Sequence, residues 1–470
     1  MTASAYGYPR IGMPSATQVP PLAVADAYLH CHCWLLMGYA LAGKGFAYLG
    51  FAPLYVGEMS LLLGVVVFVV TRAALRVPLS RTVFLLLVLQ AWCAALALSD
   101  LRDYGVDCLR DSAVWGYGMF ALIVAGIIAS RPTRLAELLR GYEKFARAFL
   151  VMIPGIWLLS VLNGEAIPRV PGTDVPLLHA KSGDILVHLA GIGSFLLASP
   201  RRINFRWPLL LAFAFALTAV RSRGGLLAFA LGLGVVAFSR PLARRLWIGM
   251  VASVIGVLLI LSADPGISLG GRDLSMRQLV ANVTSTFSPT GAVTLDGTRR
   301  WRLEWWSEIM NYTLAGPRFW TGKGFGVNLA TADGFDVDAD RTLRSPHNGH
   351  LTMLARAGVP GFVLWVLVQL AWLREMLRRY RASRRARERR WSRLFLLLIA
   401  YWLAFLVNAS FDVSLEGPMA GIWFWTLFGV GLAAGRIHRR CPAVLEGGGP
   451  AGAAQERAER RPAPAARWEG

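Results

Sequence analysis

Long apolar runs separated by short polar segments make up most of the chain. A helix needs about 20 apolar residues to cross about 30 Å of hydrocarbon, and twelve runs approach or reach that length. They lie near 23–43, 46–70, 82–99, 112–130, 146–163, 184–199, 207–221, 224–239, 246–262, 352–373, 394–411 and 418–436. The pattern predicts an all-α polytopic membrane protein with about 12 transmembrane helices. The runs near 184–199 and 207–221 are short enough to be tilted or partly unwound.

The composition agrees with this pattern. Hydrophobic residues make up 55% of the 470 residues and charged residues 16%, and the mean hydropathy is +0.48. Soluble proteins contain about 45–50% apolar and about 25% charged residues. A soluble enzyme, a disordered chain and a disulfide-rich secreted domain are therefore excluded. We also expect no cleaved signal peptide, because no short apolar region near the N-terminus leads to a small-residue cleavage site.

The net charge of +21 is concentrated in arginine clusters that follow every second apolar run. This alternation is typical of the positive-inside rule and indicates topology, with no need for a nucleic-acid partner. Both termini are then cytoplasmic. The predicted organisation is an N-terminal tail (1–22), spans 1–9 (23–262), a large outer loop carrying short helices (263–351), spans 10–12 (352–436) and a disordered cytoplasmic tail (437–470).

The loop 263–351 is the place to look for chemistry. Loops longer than about 15 residues are uncommon unless they are functional or disordered. This one is nearly charge-balanced and contains Trp, Gly and His, which argues against a disordered linker. Its segment 330–344 is acidic.

Two arginines lie on the predicted outer side at a glycine turn. Arg221 and Arg223 flank Ser222 and precede Gly224 and Gly225. The positive-inside rule disfavours arginine on that side, whereas a guanidinium beside glycines suits phosphate binding. The structural alternative is that both arginines lie at the surface of the bilayer, in a tight turn between two spans.

An amphipathic helix is predicted from Arg299 to about Met310, with Thr298 as its N-cap. Arg302, Trp305 and Trp306 share one face by their spacing, so a guanidinium is carried beside aromatic rings. The alternative is a helix whose tryptophans lie at headgroup level.

Two more elements come later in the chain. The loop Gly322–Gly326, which contains Lys323, lacks phosphate-loop spacing and a preceding strand, so a flexible turn is expected in place of a nucleotide site. His347, Asn348 and His350 lie at the mouth of the tenth span, where acid/base or hydrogen-bonding chemistry is plausible.

Four motifs in this order resemble those of the O-antigen ligase and polymerase superfamily of bacterial membrane glycosyltransferases. They are Ser222-Arg223-Gly224, Arg302-Leu303-Glu304-Trp305-Trp306, Gly322–Gly326, and His347-Asn348 with the turn Gly358-Val359-Pro360-Gly361. The resemblance covers residues 205–375 by motif. It implies an inner-membrane enzyme that transfers a glycan from undecaprenyl diphosphate to a hydroxyl at the periplasmic face, with inversion and without metal or other cofactor.

The resemblance also implies roles for individual residues. Arg223 and Arg302 would bind the diphosphate and stabilise the leaving group, and His347 would orient or deprotonate the acceptor hydroxyl. These three are the predicted catalytic residues. The predicted substrate-binding residues are Arg221, His350, Asn348, Trp306 and Lys323.

General chemistry supports a site of this kind. A diphosphate leaving group needs positive charge where its own charge develops, and two guanidiniums supply it in bidentate geometry. The loop offers no convincing carboxylate pair for a divalent cation. A pattern at His30–Cys33 is also a poor metal site, because neighbours two apart on a helix point to opposite faces.

Three functions remain open on the sequence. The first is ligation of O-antigen to lipid A–core, and the second is polymerisation of O-antigen or exopolysaccharide, or glycosylation of a protein, by the same fold. The third is a transporter of polysaccharide or lipid-linked sugar, for which twelve spans and the intramembrane pair Asp184 and His188 are the support. A transporter function would not explain why these four motifs occur in this order on the outer side.

Overall fold

The computed structural model describes most of the chain between residues 21 and 446. The described residues are 21–162, 165–198, 204, 206–219, 221–239, 268–269, 272–273, 293–337, 339 and 342–446. The predicted span near 246–262, the N-terminal tail before residue 21 and residues 447–470 lie outside them.

Helices account for nearly all of the regular structure in these ranges. They are α1 (Pro21–Ala42), α2 (Lys44–Ala47), α3 (Val56–Val70), α4 (Arg81–Tyr104), α5 (Val106–Asp111), α6 (Ala113–Gly116), α7 (Gly118–Ser130), α8 (Thr133–Leu162), α9 (Ser182–Ala198), α10 (Arg206–Ala219), α11 (Arg223–Ser239), α12 (Val293–Met310), α13 (Leu329–Asp333), α14 (Gly349–Arg385), α15 (Arg389–Ala409), α16 (Pro418–Arg440) and α17 (Ala443–Glu446).

Short irregular elements complete the described fold. Two antiparallel pairs of two-residue strands are present, β1 (Gly50–Phe51) with β2 (Leu54–Tyr55) and β3 (Ser268–Leu269) with β4 (Arg272–Asp273). Two 3-10 turns span Ala73–Arg76 and Ser414–Glu416, and a π-helical turn over Asn311–Ala315 extends α12.

Most predicted spans coincide with a helix, but three differ in extent. The tenth, predicted to end near 373, belongs to helix α14, which continues to Arg385. In the apolar run 46–70 the continuous helix begins only at Val56, because α2 and the β1–β2 hairpin occupy the first ten residues. The fifth span begins 13 residues earlier than predicted, as part of the 30-residue helix α8. The added turns, which begin at Thr133, contain charged as well as apolar side chains. Their hydropathy is therefore too low for them to be predicted as part of a span.

Five described helices are long and apolar enough to cross a membrane, namely α4, α8, α14, α15 and α16. A sixth span results if Val106–Gly116 and Gly118–Ser130, which meet at 47°, are counted as one broken span. Helices α3, α9, α10 and α11 are apolar but shorter. The protein is therefore an all-α membrane protein, and the count of twelve spans stays a prediction.

The helices around α11 pack closely because small residues lie at their contacts. Helix α11 packs against α9 and α15, which also contact each other. A Cβ atom on Gly225 would come within 2.9 Å of the Gly183 backbone, and one on Gly232 within 3.2 Å of the Ala400 carbonyl oxygen. Small residues allow such close approach of membrane helices. This packing brings the start of α9 and the start of α11 to one place.

Chain direction defines the two ends of the bundle. Helices α9, α11 and α14 begin, and α15 ends, at what we call the site end. The arginine-rich run 374–393 lies at the opposite end, where α14 finishes and α15 starts. This separation agrees with the charge pattern of the sequence.

The C-terminal tail begins later than predicted. Helix α16 continues to Arg440, and residues 441–446 pack on the start of α15. There the Arg390 Nη1 donates to the Leu445 carbonyl at 2.6 Å, and the Trp391 Nε1 to the Pro442 carbonyl at 2.7 Å. Residues 437–446 are therefore ordered, because tertiary contacts hold a segment whose composition favours disorder.

Candidate functional site

The segment between α15 and α16 lies at the centre of the candidate site. One oxygen of Asp412, Oδ1, lies 3.5 Å from the Lys181 Nζ and 3.9 Å from the His347 Nδ1. The same oxygen accepts a hydrogen bond of 2.7 Å from the Val413 N–H. A carboxylate at the site end thus joins the start of α9 to the residue that precedes α14. The sequence analysis missed Asp412, although an acidic residue directly after the eleventh span, on the predicted outer side, was the available signal.

Arg302 reaches this segment from helix α12. Its Nη1 donates to the Phe411 carbonyl at 3.1 Å. Trp305 and Ile309 bury the helix against Leu329 and neighbouring apolar side chains, which fixes the adjacent face on which Arg302 lies. The Nε of Arg302 is buried without a hydrogen-bond partner among the described residues. A buried guanidinium with an N–H group that has no hydrogen-bond partner is suited to bind an anionic ligand.

The helix that carries Arg302 begins earlier than predicted. It starts at Val293, so Thr298 lies within the helix and not at its N-cap. Trp306 is half-buried and donates from Nε1 to the Pro346 carbonyl at 2.9 Å. Two of the three tryptophans of α12 therefore serve tertiary packing: Trp305 is fully buried, and Trp306 ties the helix to the segment before His347.

His347 has an unusual backbone conformation. Its φ of 52° lies in the left-handed region, which few residues other than glycine adopt. The side chain remains 33% exposed beside Asp412. Strain of this kind persists where the surroundings fix it, and it occurs often at functional sites.

Asn348 and His350 are engaged by the protein itself. Asn348 is the N-cap of α14, since its Oδ1 accepts from the N–H groups of His350 (3.1 Å) and Leu351 (3.2 Å). His350 accepts at Nδ1 from the Trp365 indole at 3.2 Å, which leaves Nε2 to donate to the Leu406 carbonyl at 3.0 Å. These contacts fix the neutral ring of His350 in one tautomer. Both residues hold the helix that positions His347.

The Ser222–Gly225 turn packs onto the same segment. A Cβ on Gly224 would lie 2.6 Å from the Phe411 Cβ, so only glycine allows this approach. A Cβ on Gly183 would lie 3.1 Å from the Ser222 Oγ and 3.0 Å from the Asn408 Oδ1. The turn thus brings the half-buried Arg221 and Arg223 next to the segment that Arg302 contacts. Two of the predicted residues, Arg302 and His347, thus lie at Phe411 and Asp412, and Arg223 directly precedes the glycine that packs on Phe411.

The charges at the site are mutually dependent. Burial opposes ionisation of Asp412, but His347, Lys181 and the Val413 N–H outweigh it and lower the pKa of this carboxyl group to about 2. Burial lowers the pKa of Lys181, but Asp412 and Asp184 reverse the effect and raise it above its usual value. The pKa of Arg302 is lowered by burial, against the attraction of Asp412. The Asp412 carboxylate therefore interacts with two cations, Lys181 and Arg302, while Asp184 also acts on Lys181.

The glycine-rich loop pairs with a break in helix α14. Gly358 has a φ of 67°, and Pro360 has no N–H, so several backbone groups lose their helical partners. The loop supplies substitutes: the Lys323 N–H donates to the Ala355 carbonyl (2.7 Å), the Gly324 N–H to the Arg356 carbonyl (3.1 Å), and the Val359 N–H to the Phe319 carbonyl (2.7 Å). The expected flexible turn is instead a buried, hydrogen-bonded loop.

Lys323 is held away from the cluster around Asp412. Its ammonium pairs with the Asp333 carboxylate, donates to the Ala332 carbonyl at 3.0 Å and lies 4.6 Å from the centre of the Tyr312 ring. The other oxygen of Asp333 accepts from the Trp305 Nε1 at 2.6 Å. The start of the acidic segment 330–344 therefore packs against the glycine loop and α12.

Helix α5 supplies an anchor that the sequence did not indicate. The Asp111 Oδ2 accepts from the Gly326 N–H at 3.1 Å and lies 3.0 Å from both the Arg344 Nη2 and the Arg356 Nη1. One carboxylate oxygen thus links the glycine loop, the segment before His347 and helix α14. No local pattern identifies Asp111, because its partners lie more than 200 positions away.

Other ionisable residues in the helices have protein partners. Asp184 accepts from the Asn408 Nδ2 at 3.4 Å, and His188 bonds the Tyr401 hydroxyl at 2.5 Å. His32, from the discounted pattern at His30–Cys33, contacts the Thr426 Oγ1 at 2.8 Å. Among the residues that the structure describes, no three His, Cys, Asp or Glu side chains are grouped to hold a metal ion.

Comparison with known families identifies the central part of the chain. Residues 208–366 match the family model described as O-antigen ligase, which confirms the resemblance drawn from the four motifs. The matched range contains Arg223, Arg302 and His347, whereas Lys181 and Asp412 lie outside it. A comparison with curated proteins found no match.

Proposed function

Since residues 208–366 match the O-antigen ligase family, we propose that this protein transfers a glycan from undecaprenyl diphosphate to an acceptor hydroxyl, with inversion at the anomeric carbon. The acceptor that we favour is the lipid A–core of lipopolysaccharide. The protein would act in the bacterial inner membrane, with both termini in the cytoplasm and the site facing the periplasm.

The observation that carries this proposal is the meeting of Arg302, His347 and Asp412 from three distant segments. Arg302 contributes a buried guanidinium with an unused donor, and Arg223 lies on the turn packed against the same Phe411. Two guanidiniums can bind both phosphates of the donor and stabilise the charge that develops as the diphosphate leaves.

His347 is the proposed base. The acceptor oxygen attacks the anomeric carbon, the bond from that carbon to the diphosphate oxygen breaks, and its electron pair leaves with the diphosphate. The acceptor proton passes to the imidazole of His347. The nearby Asp412 carboxylate stabilises the imidazolium and orients the ring. Direct transfer of this kind needs no covalent intermediate with the protein.

The test is a reconstituted reaction. The purified full chain in detergent is given an undecaprenyl-diphosphate-linked glycan and lipid A–core, and the products are separated on a gel. Ligation predicts one larger lipopolysaccharide band, whereas polymerisation predicts elongation of the donor lipid alone. Transfer in detergent also separates enzyme from transporter, because micelles have no compartments to transport between.

Two variants and one control connect the activity to the site. Arg302→Ala and His347→Ala should each abolish transfer. Arg300→Ala is the matched control, since Arg300 lies on the same helix but is exposed and pairs with Glu304 one turn along that helix. Full activity of the double variant R302A/H347A would contradict the assignment of the site.

A further inference from the structure

Helix α14 carries a row of exposed arginines where it continues beyond the membrane span, at the end of the bundle opposite the site end. We call this row the arginine stripe; it consists of Arg374, Arg378, Arg381 and Arg385. Its members follow one another at intervals of four, three and four residues, and side chains at such intervals lie on one face of a helix. Since α14 ends only at Arg385, all four lie on that face.

The stripe continues a row of apolar side chains that belongs to the membrane span. Val363, Leu367 and Leu370 precede Arg374 at the same intervals of four, three and four residues, so they share its face of the helix. Within the described part of the chain these three side chains are 46%, 42% and 54% exposed. Because α14 is long and apolar enough to cross a membrane, its exposed apolar row faces the acyl chains of the bilayer.

The opposite face of the same segment holds α14 in the bundle. Trp372, Met376 and Tyr380 are buried there, and the Tyr380 hydroxyl donates to the Ser239 carbonyl at 3.3 Å. Successive residues of a helix are rotated by about 100°, which places these three side chains across the helix from the stripe. The stripe is therefore directed away from the helices that α14 contacts.

The carboxylates of the arginine-rich run are engaged by other residues. Glu375 pairs with Arg379 at 2.8 Å and with Arg439 at 2.9 Å. The Glu388 Oε2 lies 2.6 Å from the His438 Nε2. Among the residues that the structure describes, the four guanidiniums of the stripe have no hydrogen-bond or ion-pair partner. Their positive charge is therefore available to a ligand outside the protein.

The direction of α14 turns these side chains back towards the bilayer. In an α-helix the Cα–Cβ bonds are tilted towards the N-terminus, and in α14 the membrane span lies on the N-terminal side of the stripe. Arg374 follows Leu370 by about 6 Å along the helix axis, at 1.5 Å per residue, and a headgroup layer is about 5–7 Å thick. The guanidiniums of Arg374 and Arg378 can therefore reach the lipid phosphates.

Topology alone does not require this arrangement. The positive-inside rule counts basic residues in a loop and does not depend on the helix face that carries them. The loop at the same end between α3 and α4 has three arginines, Arg72, Arg76 and Arg81, whereas the run 374–393 has ten. Alignment of an arginine row with a lipid-facing row indicates a ligand that is both anionic and lipid.

We propose that the arginine stripe binds the phosphate groups of anionic phospholipids in the leaflet at this end of the bundle, with the acyl chains along Val363, Leu367 and Leu370. Guanidiniums bind phosphate oxygens in bidentate geometry, and basic clusters next to a membrane span attract anionic headgroups. This binding does not depend on the reaction at the site end.

The test measures lipid binding to the purified full chain in a neutral detergent by native mass spectrometry. Phosphatidylglycerol is the anionic probe, and phosphatidylethanolamine, which has no net charge, is the matched lipid. The double variant R374Q/R378Q removes two charges from the stripe. The control R387Q/R389Q removes two exposed arginines of the same run that lie outside the stripe, one after the end of α14 and one at the start of α15.

R374Q/R378Q should weaken the binding of phosphatidylglycerol about 30-fold, the size expected for two basic residues at a headgroup surface, and leave the binding of phosphatidylethanolamine unchanged. R387Q/R389Q should leave both affinities near those of wild type. All the replaced side chains are exposed, so the unfolding temperature should not change. Because a detergent micelle has no two sides, an altered orientation in the membrane cannot produce this difference.

Three results would overturn the proposal. Equal losses of phosphatidylglycerol binding in the two double variants would show that the total charge of the run suffices and that the stripe is not a site. Displacement of the lipid by an equal concentration of soluble glycerol phosphate would show that the apolar row does not contribute. Tighter binding of hexaglutamate than of phosphatidylglycerol would assign the stripe to an acidic segment of a protein instead of a lipid.

Discussion

The backbone N–H of Gly324 donates to the carbonyl oxygen of Arg356 at 3.1 Å, in place of a helical donor that the chain lacks. In an uninterrupted helix that carbonyl would accept from residue 360, which is a proline. The motif in the outer loop and the motif in α14 therefore complete one hydrogen-bonding pattern. This pattern holds the start of α14, and hence His347, against the loop.

Substitution of Gly324 tests that relationship. Gly324→Ala adds a Cβ 2.2 Å from the Asp100 Oδ2 at a φ of 80°. We expect a loss of stability of at least about 2 kcal/mol, from left-handed strain together with the clash. Gly334→Ala is the control, because Gly334 has a φ of 79° but open space around it, so only about 1 kcal/mol of strain applies. Thermal unfolding in detergent compares the two, and equal losses would contradict the role of the contact.

Arg302→Lys separates guanidinium geometry from charge. Lysine keeps the charge but cannot hold the Phe411 carbonyl and a phosphate at once in fixed geometry. We expect kcat to fall roughly 100-fold to 1,000-fold, as for loss of one donor to a developing anion, with little change in the unfolding temperature. Activity within threefold of wild type would show that charge alone suffices.

His347→Asn tests the base with the backbone left intact. Asparagine tolerates the left-handed φ of 52° at this position but cannot accept the proton. Transfer should fall about 100-fold to 10,000-fold, while the unfolding temperature stays near that of wild type. If His347→Ala lowers the unfolding temperature and His347→Asn does not, the difference between the two variants measures the backbone strain at this position. An active His347→Asn enzyme would rule out His347 as the base.

Asp412 should make stability depend on acid pH. Its pKa is lowered to about 2 in the folded protein, against about 3.9 in an unfolded chain. Because the folded value is the lower one, the carboxylate stabilises the fold above about pH 4, and this contribution disappears as the pH falls towards 2. It is at most about 2.6 kcal/mol. The difference in unfolding temperature between wild type and Asp412→Asn should therefore be constant from pH 5 to 7 and shrink below pH 4; a difference that grows on acidification would contradict the assignment.

Removal of divalent cations should leave the reaction unchanged. Arg302 and Arg223 supply the positive charge that the leaving diphosphate needs. We expect transfer in excess EDTA to proceed at the rate measured in added Mg²⁺. Strong inhibition by EDTA that Mg²⁺ reverses would mean that the guanidiniums are insufficient.

The sequence by itself determined the class of the protein and three of the residues at its candidate site. Hydropathy is a local property, and the bilayer requires each span to satisfy its own backbone, so the apolar runs predicted the helices α4, α15 and α16 to within about five residues, whereas α14 continues to Arg385, well beyond the run that ends near 373. The family motifs are also local, and they pointed to Arg223, Arg302 and His347 before any distance was known.

Only the tertiary structure decided what those residues contact. Asp412 pairs with Lys181 and His347 across more than 60 positions of the chain, and Asp111 reaches the glycine loop across more than 200. Such pairs leave no periodic or compositional trace, because they depend on how helices pack and not on neighbours in sequence. For the same reason Lys323 and Asn348, which the sequence offered as ligands, are found in a salt bridge and at a helix cap.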